Sequence, residues 1–325
     1  MKQVLFALSM GMILLVGCQR TSLQKLPILT SDVILADLVQ NVGGSGITVK
    51  SIIPNGVDLH SFSPSPQDVK MLADAEIVFV HGRGLEEWLE KVIVNSGTKA
   101  SIVEVSKGLS AVKRNHDSGM DDSVDTQDDD HEDDQHNEED DDDHHTHELD
   151  PHFWMDPTLV VQYIHNIERA LSARSPQFES NYKTNAKVYI DKLTAVHDEI
   201  QRMVDIVPVE KRIFVTDHDS LGYFADQYGF KIVGSVLPSI STGASPNAKD
   251  VAKLIDTMKN LGVMAIFTEK GFNQNLVEQI SKETGAKVFQ NLSTHSFTDK
   301  NGISPDYISL IRLLAKNLVS GLSTQ

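Results

Sequence analysis

The residues of this chain best suited to chemistry are its thirteen histidines, and they fall into two groups. Six of them, His116, His131, His136, His144, His145 and His147, crowd into one acidic stretch. Four of the other seven stand in turns or just after strands. His60 lies in Gly56-Val57-Asp58-Leu59-His60-Ser61-Phe62-Ser63-Pro64-Ser65-Pro66, and His152 in Asp150-Pro151-His152-Phe153-Trp154-Met155-Asp156-Pro157. His218 follows the strand-like run Ile213 to Thr216, and His295 follows another that ends near Leu292. Any one of these alone reads as an ordinary satisfied polar residue. Four imidazoles at the ends of four separate strands can instead converge on one point, as a closed tetrahedral Zn²⁺ site requires. Neutral imidazole suits Zn²⁺, Cu²⁺ and Ni²⁺, whereas Mn²⁺ and Ca²⁺ prefer oxygen. Four free imidazoles would also make affinity fall steeply below about pH 6, because each must be deprotonated to bind.

The remaining three histidines read differently. His165 and His197 lie on helical stretches, where a solvated face is the expected role, and His81 ends a strand beside Gly82. A zinc hydrolase is the alternative reading of the same donors. It would keep three ligands, a bound water and a general base. The chain has no His-Glu-x-x-His helix, and Glu269 is the one obvious base.

The acidic stretch explains the net charge of −17. Residues 117 to 150 hold 18 Asp or Glu and no Lys or Arg; the rest of the chain carries 28 acidic and 29 basic residues. The body is therefore close to neutral, and nothing in it suggests a nucleic-acid partner. So polar a segment cannot bury enough surface to offset its ordering entropy, which makes residues 116–148 a disordered insert. The insert reads either as a solvated acidic loop or, given its six imidazoles, as a weak multi-site metal collector.

At the N-terminus Lys2 precedes an apolar stretch from Val4 to Val16. Spanning a bilayer takes about 20 apolar residues, so this stretch reads as a secretory signal. Leu15-Val16-Gly17-Cys18 fits a bacterial lipobox, with Cys18 as the acylated first mature residue. Two or more acyl chains give stable membrane anchoring. Cys18 is the only cysteine, which excludes an internal disulfide and a thiolate metal site.

What remains, roughly 300 residues, suggests two domains. Short apolar runs at Ile28–Thr30, Val49–Ile53 and Ile77–Val80 read as strands, with helices at Gln67–Ala73 and Leu85–Val94. A breaker-poor helical run follows from Phe178 to Val207, and strands return at Ile213–Thr216, Ile232–Val236, Val263–Thr268 and Lys287–Leu292. Alternating strands and helices indicate mostly parallel sheets covered on both sides. The expected fold is α/β: two lobes, each with a central, mostly parallel sheet flanked by helices, joined by one long rigid helix, with the metal site in the cleft. The boundaries read as a signal over 1–17, a tether over 18–25, an N-terminal lobe over 26–177, a linking helix over 178–207 and a C-terminal lobe over 208–325.

Over nearly its whole mature length the chain resembles the zinc- and manganese-binding solute-binding proteins of ABC importers, the cluster A-I or cluster 9 group. Gly56 to Pro66 is similar to that family's Gly-x-Asp-x-His-x-Phe-x-Pro-Ser-Pro loop, and Asp150 to Pro157 to its Asp-Pro-His-x-Trp-x-Asp-Pro stretch. The resemblance implies His60 and His152 as ligands, and His218, ahead of Gly222-Tyr223-Phe224, as the third. Manganese binders usually have Glu at that third position, so His218 points towards zinc. The fourth position is usually Asp; here it corresponds to His295, with Asp299 nearby as the alternative. Pro246 and Glu269 fall where the family has structural or ligand-supporting residues. The implied function is extracytoplasmic capture of Zn²⁺ and delivery to an ABC membrane permease with its cytoplasmic ATPase, with Mn²⁺ as the alternative ligand and a manganese/iron-type binder of the same family as the alternative function. A monomer anchored through lipid, in the periplasm or at the cell surface, is expected. A surface zinc buffer or adhesin would share the same site.

Overall fold

The computed structural model describes residues 25–111, 149–237, 247–269, 272–298 and 302–323. The first lobe is built from β1 (Leu26–Thr30), α1 (Val33–Gly43), β2 (Ile47–Ser51), α2 (Pro66–Ala73), β3 (Ile77–Val80), α3 (Glu87–Ser96) and β4 (Ser101–Glu104). Two long helices follow, α4 (Pro157–Arg174) and α5 (Glu179–Val204). The second lobe holds β5 (Ile213–Thr216), α6 (Gly222–Tyr228), β6 (Lys231–Ser235), α7 (Ala248–Leu261), β7 (Ala265–Glu269), α8 (Gln274–Thr284), β8 (Lys287–Leu292) and α9 (Tyr307–Ser323).

Both sheets are four-stranded and parallel, and they repeat one topology, β2-β1-β3-β4 and β6-β5-β7-β8. In each, the chain reverses direction across the sheet between the first and third strands. That switch point opens a crevice at the carboxyl ends of the strands, where α/β folds bind ligands. In the second lobe the crevice is lined by the ends of β5 and β7, which carry His218 and Glu269.

Side chains alternate across each strand, and the two faces feed different cores. Leu29, Val78 and Val80 face outward onto Leu72 of α2 and Leu89 and Val92 of α3. Val215, Val233 and Ile266 do the same onto α7 and α8. The opposite faces, with Ile28, Ile77 and Phe79 from one sheet and Phe214, Ala265 and Phe267 from the other, join a single continuous core with α1, α4, α5 and α9.

The long helix is therefore not a free-standing rod. Tyr182, Ala186, Tyr189, Leu193, Val196, Ile200 and Val204 form one buried stripe along α5, spaced at three or four residues. Over a length of about 39 Å it packs against α1 and α4 and also against α9 of the second lobe. It is also slightly shorter than the expected 178–207, because Pro176–Phe178 forms a 3₁₀ turn before it and Asp205 to Val207 turn away after it.

Candidate metal centre

His60 stands in the loop between β2 and α2. The loop leaves the sheet through Ile52 and Ile53, whose N–H groups still donate to the Thr30 and Ser31 carbonyls. It closes on a capping box, Ser65 with Asp68, ahead of Pro66 at the first turn of α2. Buried Leu59 anchors its middle, and the Asp58 carboxylate accepts the His60 backbone N–H at 2.8 Å.

His152 caps the start of the 3₁₀ turn Phe153–Met155 that leads into α4, rather than standing at a strand end as the sequence suggests. One oxygen of Asp150 accepts both its backbone N–H and its ring Nδ1, each at 2.9 Å. The turn is held from the other lobe as well: Trp154 donates its indole N–H to the Thr294 carbonyl at 3.0 Å, and the Tyr223 hydroxyl donates to the Asp150 carbonyl at 2.9 Å.

His218 follows β5 by two residues. Asp217 Oδ1 accepts its backbone N–H at 2.9 Å and its Nδ1 at 3.0 Å. His295 follows β8 by three residues, and its Nδ1 lies 2.6 Å from the Thr294 hydroxyl and 3.5 Å from Glu269 Oε1. The same Glu269 oxygen accepts the Thr294 backbone N–H at 2.8 Å.

These four imidazoles, two from each side of the cleft, meet at one point. Every pair of ring centroids lies 5.4 to 6.2 Å apart, and one ring nitrogen from each lies within 4.8 Å of all the others. In His152, His218 and His295 the Nδ1 edges turn outward to Asp150, Asp217 and Thr294, which leaves Nε2 facing inward. The Nε2 atoms of His218 and His295 are buried without a hydrogen-bond partner among the described residues. Orphaned polar atoms are rare in folded interiors and ask for an explanation. Nε2 of His60 stands 3.3 Å from Nε2 of His152. A tetrahedral Zn²⁺ with bonds of 2.0–2.1 Å places its nitrogen ligands about 3.3 Å apart.

Burial, reinforced by the neighbouring imidazoles, lowers the pKa of His60 to about 2 and that of His152 well below its ordinary value. For His218 burial works in the same direction, but the hydrogen bond and charge of Asp217, with Glu269 and Asp58, outweigh it and raise the pKa. Burial would raise Glu269, yet His295, His218 and the Thr294 hydrogen bond bring it down to about 2. The Glu269 carboxylate is thus held ionised and engaged by Thr294 and His295.

The other histidines stay apart. His81 is buried, with Nε2 3.2 Å from Asp32 and its ring 4.3 Å from Trp154, so it backs the centre without entering it. His165 is exposed, and His197 pairs with the Tyr228 hydroxyl at 3.1 Å. Cys18, the six insert histidines His116, His131, His136, His144, His145 and His147, Pro246 and Asp299 lie outside the described residues. Sequence reasoning missed the roles of Asp150 and Asp217. Their signal is an aspartate one or two positions before a candidate ligand.

The sequence profile of the family described as "Zinc-uptake complex component A periplasmic" (ZnuA) matches residues 28–321. Among curated relatives, the manganese-binding lipoprotein MntA of Halalkalibacterium halodurans is 27% identical over 99% of this chain and 100% of its own length. The iron-binding protein YfeA of Yersinia pestis is 27% identical over 92% of this chain and 86% of its own. Among solved structures, the Mn-bound periplasmic metal binding protein of candidatus liberibacter asiaticus aligns with a TM-score of 0.74 at 27% identity, covering 92% of this chain and all of that one. The periplasmic zinc binding protein TroA from Treponema pallidum shares the fold, with a TM-score of 0.76 at 21% identity over 92% of this chain and 99% of its own. No helix among the described residues is long and apolar enough to cross a membrane. With a match over residues 28–321 and a converged histidine cluster in the cleft, the chain belongs to the ZnuA family of metal-binding solute-binding proteins of ABC importers, and it is not an enzyme.

Proposed function

We propose that this protein captures one Zn²⁺ between its lobes and delivers it to an ABC permease. The observation that carries the reading is the donor set. Four imidazoles surround one point, and two of their Nε2 atoms are buried with no partner among the described residues. A nitrogen-only set favours Zn²⁺ over Mn²⁺, although two curated relatives are named for manganese and iron. Copper would bind tightly to the same donors, so its exclusion rests on availability and not on affinity.

The proposed cycle uses both lobes. His60 and His152 come from one side of the cleft and His218 and His295 from the other, so a bound ion fixes the lobes relative to each other. The shared core beneath limits opening to small tilts. The permease would pull the lobes apart and take the ion, and its cytoplasmic ATPase would supply the energy. A signal over residues 1–17, lipid attached at Cys18 and a metal-collecting insert over residues 116–148 belong to the same proposal, as do action as a monomer and the domain limits 26–177, 178–207 and 208–325.

Metal analysis of the purified protein and a zinc titration in the presence of competing Mn²⁺ test the reading. One tightly held Zn²⁺, retained against excess Mn²⁺, is the expected result. Preferential retention of Mn²⁺ would overturn it.

A further inference from the structure

Two sets of hydrogen bonds join the lobes around the centre, and they differ in their access to water. The bonds from Trp154 to Thr294 and from Tyr223 to Asp150 are buried. At the mouth, the exposed Asn55 side chain donates through Nδ2 to the Phe297 carbonyl at 2.7 Å and accepts the Phe297 N–H through Oδ1 at 2.7 Å. Next to it, the Gly56 N–H donates to the Ser296 hydroxyl at 3.1 Å. Asn55 thus pairs with both backbone groups of one residue, as a neighbouring β-strand would, across 242 positions of sequence.

The backbone aims Asn55 at this partner. Pro54, Asn55, Gly56 and Val57 form a turn closed by the Val57 N–H to the Pro54 carbonyl at 3.2 Å, with Gly56 at φ +84°. A positive φ at the third residue of a turn is readily adopted only by Gly or Asn. Asn55 lies five residues before His60, and Phe297 lies two after His295. The pair therefore ties the loop of one histidine to the loop of another.

His60 is also the least tethered of the four. Carboxylates or a hydroxyl hold Nδ1 of the other three. The one polar contact of the His60 ring among the described residues is His152 Nε2. It is only partly buried, whereas the other three are buried. Bonds exposed to water exchange their partners at little net cost, while a buried polar group left unpaired costs its full desolvation. Opening therefore begins at the mouth.

Building on the zinc-capture reading, we propose that Asn55 is a positioning residue that latches the His60 loop over the ion and sets its release rate. His60 leaves first, while His152, His218 and His295 keep their places. Release of a single equivalent of Zn²⁺ from the full chain into excess chelator, followed by stopped flow at neutral pH, tests this. The ligand-field spectrum of the Co²⁺-loaded protein reports the geometry of the site in parallel. Asn55→Ala should release zinc about tenfold faster, with the association rate within about twofold of wild type and the Co²⁺ spectrum unchanged. Ser296→Ala, which removes only the acceptor for Gly56, should accelerate release about threefold, and it decides the matter alone if Asn55→Ala does not fold. Release within twofold of wild type in the folded variants overturns the latch, as does acceleration accompanied by an altered Co²⁺ spectrum. A wild-type chain that holds no zinc tightly would instead overturn the capture reading beneath it.

Discussion

Asp217 grips His218 twice through one oxygen, accepting its backbone N–H at 2.9 Å and its ring Nδ1 at 3.0 Å. The other carboxylate oxygen accepts the Glu269 backbone N–H at 2.7 Å, so β7 in turn holds Asp217 in place. The grip fixes the proton on Nδ1 and leaves the lone pair of Nε2 facing the other imidazoles. Such partners orient a ligand and raise its basicity, and their loss typically costs about 10–100-fold in metal affinity. Asp217→Asn should weaken zinc by an amount in that range without changing the stoichiometry, as read by competition with a chromophoric chelator. An unchanged affinity would mean that orientation by Asp217 contributes nothing to binding.

Acid should weaken zinc binding more gradually than four free imidazoles would. Protons compete only at ligands that take them up in the metal-free protein. His60 and His152 have pKa values pushed below their ordinary range by burial and by the neighbouring imidazoles, so they remain neutral donors as the pH falls through 6. His218 has the opposite shift and takes its proton at a higher pH than a free imidazole. Affinity should therefore begin to fall above pH 6.5. The slope of its logarithm against pH should not exceed about two, where four free ligands would approach four. Chelator competition between pH 7.5 and 5 measures that slope, and a value near four would contradict the neutral pair.

The sequence pattern reveals the layered architecture because buried parallel strands are short apolar runs. Ile77–Val80, Ile213–Thr216 and Lys287–Leu292 are predicted with their observed limits. The edge strand β4, Ser101–Glu104, is four residues long and partly exposed, so it lacks that signature. The helix α1 escapes the same reading because only Ser31 and Asp32 separate its apolar face from β1. The four histidines stand out because each interrupts a strand end or a proline-bounded turn. The Asn55–Phe297 pair leaves no local trace, since it depends on two loops meeting across the cleft.

Removing residues 117–148 should leave one tight Zn²⁺ per chain and abolish weaker uptake beyond it. The four histidines proposed as ligands lie outside that segment, and a multi-site collector would add sites without completing this one. Equilibrium dialysis of the full and shortened chains distinguishes the two classes of site. Loss of tight binding on removing the insert would mean that the four histidines do not suffice.

Cys18→Ala should free the protein from the membrane fraction while zinc affinity stays as it was. The lipobox reading makes Cys18 the sole acylation site, and two or more acyl chains are what hold a protein stably to a bilayer. Labelling with palmitate and fractionation of cells read both parts. Equal labelling of the variant would remove the lipobox reading.

Selectivity should follow the donor at position 295. His295→Ala leaves three imidazoles around a position that water can fill, so zinc should still bind, but more weakly. His295→Asp should behave differently. Thr294 and Glu269, which hold Nδ1 of the imidazole, lose that partner, and a hard anionic oxygen replaces a borderline nitrogen. The gap between zinc and manganese should narrow. Adding His218→Glu gives two nitrogens and two carboxylates and should narrow it further, although the negative charge of Asp217 beside the new carboxylate opposes part of the gain. If Asp299 or water supplied the fourth ligand instead, both changes at His295 would leave zinc affinity within about twofold, and Asp299→Ala would weaken it. Twofold is a difference of only about 0.4 kcal/mol. Zinc and manganese affinities of these variants, measured with residues 117–148 removed so that weak sites do not contribute, decide which residue completes the site.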